Sequence, residues 1–190
     1  MKIISASPSS VKEAIKILKN GGVVVFPTET AYGLAADATN KKAIKKVFQI
    51  KQRPLEKSLP WIAANLAMAR KYVKFSHVAL RLAKKYWPGP LTIILPAKRG
   101  NKTLALRVSS NKIAKSLSAG LGKPIISTSA NISGEPTCYS AREVKKQFAK
   151  KSLQPDLLLD GGRLKKNKSS TIIKIEKNKI VIVRQGSARL

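Results

Sequence analysis

Four short stretches carry the side chains that could do chemistry. The first is Ser127-Thr128-Ser129-Ala130-Asn131, which follows directly on the apolar Ile125-Ile126. Hydroxyls donate and accept, and the Asn amide does both at once. None is a strong acid or base at neutral pH. A strand that ends this way suits a pocket holding a polar ligand by hydrogen bonds. It equally suits a polar turn whose side chains bond their own backbone. The second stretch is Lys51-Gln52-Arg53-Pro54. Two cations at a helix end complement the helix dipole. Held by the proline, they also present a point charge and a planar fork, a pair that fits a polyphosphate. The third is Arg107, an arginine inside the otherwise apolar Leu104–Val108. Buried there it needs an anionic partner, either a ligand carboxylate or an internal acid such as Asp160. The fourth runs from Gly161-Gly162 to Ser170-Thr171 and is joined by Arg184. No Walker or dinucleotide glycine fingerprint occurs, so a nucleotide would be held another way.

Other chemistries are excluded by what the chain lacks. Its single histidine, His77, opens an expected helix and reads as a surface residue, and its single cysteine is Cys138. The usual zinc ligand sets cannot be assembled, and no nucleophile elbow accompanies His77. One cysteine forms no internal disulfide, which fits a reduced, cytoplasmic setting. No apolar run approaches the roughly 20 residues that span a bilayer, so no membrane partner is expected. Thirty-eight Lys and Arg against nine Asp and Glu give a net charge of +29. Such a field attracts polyanions, nucleic acid first among them, although lysines scattered over helix faces in a lysine-rich lineage read the same way.

The elements expected to position these groups alternate between helix and strand. A capping box at Ser10–Glu13 opens a helix through Leu18, and Val23–Phe26 is a strand buried on both faces. Ala43–Phe48 marks a helix ending near Lys51, because Pro54 disfavours helical geometry at Arg53. Then come a strand over Leu59–Ala63, helices near 65–73 and 76–86, and a rigid Trp87-Pro88-Gly89-Pro90 turn. Strands at Leu91–Leu95 and Leu104–Val108 lead to a helix from Ser110 to Ser118 closed by Gly120 and Gly122. After the central stretch, a second box at Ser140–Glu143 opens a helix to about Lys150, followed by a strand at Leu157–Asp160. A basic loop, Lys165–Lys168, precedes a hairpin of Thr171–Ile175 and Lys179–Arg184 turning at Lys177-Asn178. The pattern predicts α/β with one twisted mixed sheet in a single domain, 1–190.

Taken together, Lys-x-Arg at 51–53 and Ser-x-Asn at 129–131 resemble the signature of the YrdC-like family of threonylcarbamoyl-AMP synthases. Phe26–Leu34, Trp87–Thr92, Leu106–Val108, Ser127–Gly134 and the terminal Val183–Gly186 extend the resemblance along most of the chain, in the short single-domain bacterial form. The resemblance implies a twisted sheet of parallel and antiparallel strands flanked by helices, with a positive concave face. It implies that L-threonine, bicarbonate or CO2, and ATP yield L-threonylcarbamoyladenylate and pyrophosphate, with Mg2+ accompanying ATP and no protein metal cage. Lys51, Arg53, Ser129 and Asn131 become the catalytic set. Thr103, Thr137 and Arg184 join them around ATP, and Thr28, Arg107, Ser129 and Ser170 hold threonine. The implied partners are tRNA or double-stranded RNA on the basic face and a downstream threonylcarbamoyl-transferase complex, with the chain itself a monomer. Longer relatives carry a threonine-site His after Lys-x-Arg-Pro, where this chain reads Ser58-Leu59-Pro60-Trp61-Ile62. The rival readings are a non-catalytic RNA-binding module of the same fold and the carbamoyl-transfer unit of hydrogenase maturation. The second of these belongs to a much longer chain.

Overall fold

The computed structural model describes residues 1–177 and 179–190, which build two mixed sheets and six helices. The expected α/β class holds, but the single sheet is two. Sheet A runs β1-β9-β2-β3-β8, from β1 (Lys2–Ser5), β9 (Leu157–Asp160), β2 (Val24–Pro27), β3 (Tyr32–Ala35) and β8 (Thr128–Ser129). Sheet B runs β11-β10-β5-β6-β4-β7, from β11 (Lys179–Arg184), β10 (Thr171–Glu176), β5 (Leu91–Pro96), β6 (Thr103–Arg107), β4 (Trp61–Ile62) and β7 (Ile125–Ile126). The hairpin β10–β11 forms as expected, with Asn178 of its turn outside the described residues.

Sheet A is covered on both faces, which explains its unbroken apolar run. Val23 and Val25 point into a cluster with Val47 and Phe48 of α2 (Lys41–Lys51) and Val144 and Phe148 of α6 (Ala141–Phe148). Val24 and Phe26 alternate onto the other face, against Leu18 of α1 (Pro8–Lys19) and Leu117 of α5 (Lys112–Leu121). α1 and α5 touch so closely that a Cβ on Gly120 would lie 2.3 Å from Ile15 Cδ1. Gly120 is therefore a packing residue within α5, and Gly122 alone, at φ +75°, closes the helix. α1 begins three residues before the expected box. Ser7 is its N-cap, reciprocated by the Ser10 side chain. At α6 the box is altered. Ser140 caps Glu143 N–H, but the Glu143 carboxylate takes the Tyr139 N–H instead of that of Ser140.

Over β5 and β6 sheet B has helices on one face, while at its other end Ile62 of β4 and Ile125 of β7 join the α1–α5 cluster. Leu91, Ile93 and Leu95 pack on Ala79, Leu82 and Ala83 of α4 (His77–Tyr86), whose first residue, His77, is exposed as expected. Leu106 turns the same way, into a small cluster with Ala63, just after β4, and with Ala69 of α3 (Leu66–Tyr72). By strand alternation Thr92, Ile94, Ala105 and Arg107 face the opposite side, which is open. The strand expected over Leu59–Ala63 shortens to β4, which lies between β6 and β7 and pairs two residues with each. Pro60 supplies only its carbonyl, to Ser127 N–H at 2.8 Å.

Candidate active site

The open face of sheet B and the ends of sheet A enclose a cavity of about 500 Å³. Sheet A contributes Thr28, Tyr32, Gly33, Thr128 and Ser129. Sheet B contributes Thr92, Ile94, Ala105, Arg107, Ile172, Val183 and Arg184. Among the described residues three arginines, 53, 107 and 184, line it, and no carboxylate does. Seven of the ten candidate residues meet there: Thr28, Arg53, Arg107, Ser129, Thr137, Ser170 and Arg184. Lys51, Asn131 and Thr103 do not. Thr103 shares the face of Ala105 and Arg107 but sits two residues beyond Ala105, exposed and paired with Pro96.

The end of α2 separates the two cations that were expected to clamp one ligand. Gln52 caps the helix in left-handed backbone at φ 50°, ψ 45°, and this reversal sends its neighbours different ways. Arg53 reaches the cavity wall, where Nε and Nη2 donate to the carbonyls of Lys57 at 3.4 Å and Ser58 at 3.2 Å. Lys51 turns inward and is 2% exposed. Its Nζ donates to Ser129 O at 2.6 Å, Asn131 O at 2.8 Å and Asn131 Oδ1 at 3.1 Å. An ammonium has three donors, so all are consumed. The Lys51 carbonyl also takes Ser133 N–H at 2.8 Å. Lys51 thus braces the 129–133 turn from behind. The expectation that it grips phosphate directly does not match this placement. Burial, helped by the Arg53 charge, pushes its pKa down to about 8.

Asn131 belongs to the same brace. Its Oδ1 also accepts from Ser129 Oγ at 2.5 Å, and its Nδ2 donates to Glu135 O at 2.6 Å. With its proton committed to Asn131, the Ser129 hydroxyl offers the cavity lone pairs, which suit a ligand donor better than a phosphate.

Thr28 forms a side-chain turn at the end of β2. Its Oγ1 accepts from Thr30 N–H at 3.1 Å and Ala31 N–H at 3.2 Å and donates to Ala31 O at 2.7 Å. The turn presents Glu29, which was not singled out from the sequence. Glu29 Oε1 pairs with Arg107 Nη1, and Oε2 accepts from Ser109 Oγ at 2.5 Å. The internal partner of Arg107 is therefore Glu29. Asp160, the example of an internal acid offered for that role alongside a ligand carboxylate, instead takes the Tyr32 hydroxyl at 3.2 Å and Gly162 N–H at 2.8 Å. A signal for Glu29 existed in the sequence: it is one of nine acids in the chain and sits among hydroxyls between two buried runs. Burial, together with the Arg184 charge, lowers the pKa of Arg107 to about 10.

The far wall comes from the segment before β10. Arg184 donates from Nε and Nη2 to Ser170 O, at 3.1 and 2.7 Å, and Ser170 Oγ lies 3.0 Å from Thr92 Oγ1. The Ser170 hydroxyl also accepts from Arg184 Nη2 at 3.1 Å. Asn167, a second residue that the sequence did not flag, ties this segment to the β2–β3 turn through Nδ2 to Glu29 O at 2.9 Å.

The family model Sua5_yciO_yrdC, described as "Telomere recombination", matches residues 16–186. A putative threonylcarbamoyl-AMP synthase of Methanocaldococcus jannaschii is 36% identical, over 98% of this chain and 92% of its own. A threonylcarbamoyl-AMP synthase of Psychromonas ingrahamii is 38% identical, over 76% and 82% respectively. The crystal structure of P. abyssi Sua5 complexed with L-threonine superposes with a TM-score of 0.91 at 33% identity. It covers 98% of this chain, which spans only 58% of the P. abyssi chain. By the extent of the family match and by identity along nearly its whole length, the chain belongs to the Sua5/YciO/YrdC family.

Proposed function

We propose that this protein is a threonylcarbamoyl-AMP synthase, a nucleotidyltransferase that joins L-threonine, bicarbonate or CO2, and ATP into L-threonylcarbamoyladenylate with release of pyrophosphate. One observation carries the reading. Three arginines and a set of hydroxyls converge from two sheets and the loop after α2 on one cavity of about 500 Å³, a volume suited to an amino acid beside a nucleotide.

The division of labour follows from the donors each group has left. Arg107 offers a fork to threonine's carboxylate. Ser129 Oγ accepts from its amine or hydroxyl. Arg53 and Arg184 have each committed Nε and Nη2 to carbonyls, which leaves Nη1 for ATP phosphates. Thr137 lies on the same wall. The carbamate formed on threonine's amine attacks the α-phosphorus through oxygen, and pyrophosphate leaves with the displaced bond's electrons. That step asks for alignment and charge neutralisation and for no strong base, which agrees with a cavity lined by cations and hydroxyls. Lys51 and Asn131 act from behind, by holding Ser129 in place. Among the described residues no group of three or more His, Cys, Asp or Glu is arranged to hold an ion. Mg2+ supplied with ATP would be carried by phosphate oxygens and water, with cavity hydroxyls such as that of Thr137 available as further oxygen ligands.

The activated threonylcarbamoyl group would pass to a downstream transferase complex and then to tRNA, and the +29 charge gives that polyanion a reason to dock here. Incubation with ATP, L-threonine and bicarbonate tests the assignment. Pyrophosphate release that requires all three, with the adenylate seen by mass spectrometry, is the expected result. ATP left intact under those conditions refutes it.

A further inference from the structure

Arg107 is held by one hydrogen-bond partner among the described residues, Glu29. Only Nη1 is used. Nε and Nη2 have no partner, yet neither is among the sealed, unsatisfied side-chain atoms, so they open on the cavity that Arg107 lines. Glu29 itself does not line that cavity. It borders a neighbouring one of about 400 Å³, together with Ser110, Asn167 and Lys168. The carboxylate therefore stands behind the guanidinium, seen from the substrate's side.

Glu29 is also held from two directions. Ser109 Oγ donates to Oε2, and Asn167 Nδ2 donates to the backbone carbonyl. The Thr28 hydroxyl fixes the turn that carries it. A glutamate anchored in this way is poorly placed to swing aside when a ligand arrives. It is well placed to keep the arginine from moving. Without it, Arg107 would be a buried cation facing the like charge of Arg184, and it would swing toward water or a backbone carbonyl.

We propose that Glu29 is the positioning residue for amino-acid recognition: it clamps Nη1 of Arg107 from behind, so that the remaining donors of the fork are fixed toward the substrate carboxylate. It also cancels one of the three cationic charges. The net attraction for phosphate then comes from Arg53 and Arg184, and the Arg107 end is matched to an amino acid that carries both charges. This inference rests on the reading of Arg107 as the carboxylate site.

The experiment uses Glu29→Ala, Glu29→Gln, Arg107→Lys and the double variant Glu29→Ala/Arg107→Lys. Calorimetry gives the dissociation constants of L-threonine and ATP separately, and a melting curve accompanies each. Glu29→Ala should weaken threonine about 10- to 100-fold, the worth of a charged hydrogen bond, and leave ATP within about twofold. Glu29→Gln keeps an oxygen for Nη1 and should recover part of the loss. The double variant should bind threonine no worse than Arg107→Lys alone, because the two residues act as one unit. Threonine affinity unchanged in both Glu29 variants, with Arg107→Lys weakened, overturns the inference and leaves the carboxylate reading standing. Arg107→Lys binding threonine normally removes that reading and the inference with it. Tighter threonine binding in Glu29→Gln would make Glu29 a competitor and refute the clamp. Equal weakening of both ligands with a large fall in Tm would make it a fold-holding residue and also refute it.

Discussion

Lys51→Ala removes an ammonium that makes three hydrogen bonds at 2.6, 2.8 and 3.1 Å to the 129–131 turn. A bond from a charged donor contributes about 1.5–3 kcal/mol, so three set a ceiling of about 5–9 kcal/mol. Against that stands the cost of keeping the ammonium dry. Burial lowers its pKa from 10.5 to about 8, and that difference corresponds to roughly 3 kcal/mol. The variant also leaves three acceptors without a donor. A net destabilisation of about 2–5 kcal/mol follows, which in a chain of this length lowers Tm by about 5–15 °C. Lys51→Met should do nearly the same while filling the space, because the lost interactions are polar. Both should depress the rate for threonine and ATP together, since a loosened turn displaces Ser129. Differential scanning calorimetry and pyrophosphate release measure the two effects. A variant with wild-type Tm and a selective rise in KM for ATP would show that Lys51 grips phosphate directly, and the brace argument would be wrong.

The same residue sets a pH dependence with two opposite signs. Between about pH 8 and 10.5 the unfolded chain keeps the Lys51 proton while the folded protein has released it. The unfolded state binds more protons there, so this group's contribution to stability rises with pH across that window. Below about pH 8 the contribution is constant. Activity should do the reverse, because a neutral amine has two N–H donors for three acceptors and the turn loses one tie. An alkaline decline in kcat/KM near pH 8 that disappears in Lys51→Met is the expected signature.

Three further outcomes are expected. Arg53→Ala should raise the KM for ATP about tenfold, one charged contact, and move Tm by no more than about 2 °C, since its protein bonds are to exposed carbonyls. A lowered Tm with unchanged kinetics would count against its phosphate role. Gly120→Val places a side chain where Ile15 Cδ1 stands 2.3 Å away and should destabilise by about 1–3 kcal/mol in urea titration, and an unshifted midpoint would show that α1 and α5 can part freely. If tRNA docks through the +29 charge, its affinity should fall linearly on a log–log plot against salt, with a slope near the number of phosphates neutralised, and no binding at low salt would leave the charge a lineage trait.

How much of this was legible in the sequence differed by element. Long periodic segments were readable because one face of each must be apolar. α2, α4 and α5 and strands β2, β5 and β10 fell where the pattern put them, within a few residues. β3 was missed because Tyr32-Gly33-Leu34-Ala35 has no β-branched residue. Its strand state is imposed by pairing with β2 and β8, which lie on either side of it in sheet A. β8, two residues long, has no period at all. The division into two sheets was invisible for the same reason. It depends on β7 joining sheet B while β8, two residues later, joins sheet A. For the site, residue types together with the family resemblance located the cluster, and seven of ten candidates line one cavity. Direction was not legible. Lys51 and Arg53 are two residues apart in the chain, and the left-handed Gln52 between them sends one toward the core and the other toward the cavity.

That reversal explains why a chain with so many cations can aim three of them without mutual disruption. A guanidinium next to others costs repulsion, worse where water is scarce. Here each is tied down by a different kind of partner. Arg53 is held by two carbonyls of the loop after α2, and Arg184 by the Ser170 backbone. Arg107, the most deeply buried, is held by a carboxylate. Carbonyl partners leave a cation its full charge, while a carboxylate cancels it. The two arginines that keep their charge are those assigned to a polyphosphate, and the neutralised one is assigned to a single carboxylate on an amino acid. Placing a carboxylate behind Arg53 or Arg184 should therefore weaken ATP far more than threonine, and removing the one behind Arg107 should do the opposite. On the proposed assignment, the partner of each arginine, more than its position in the cavity, would select its ligand.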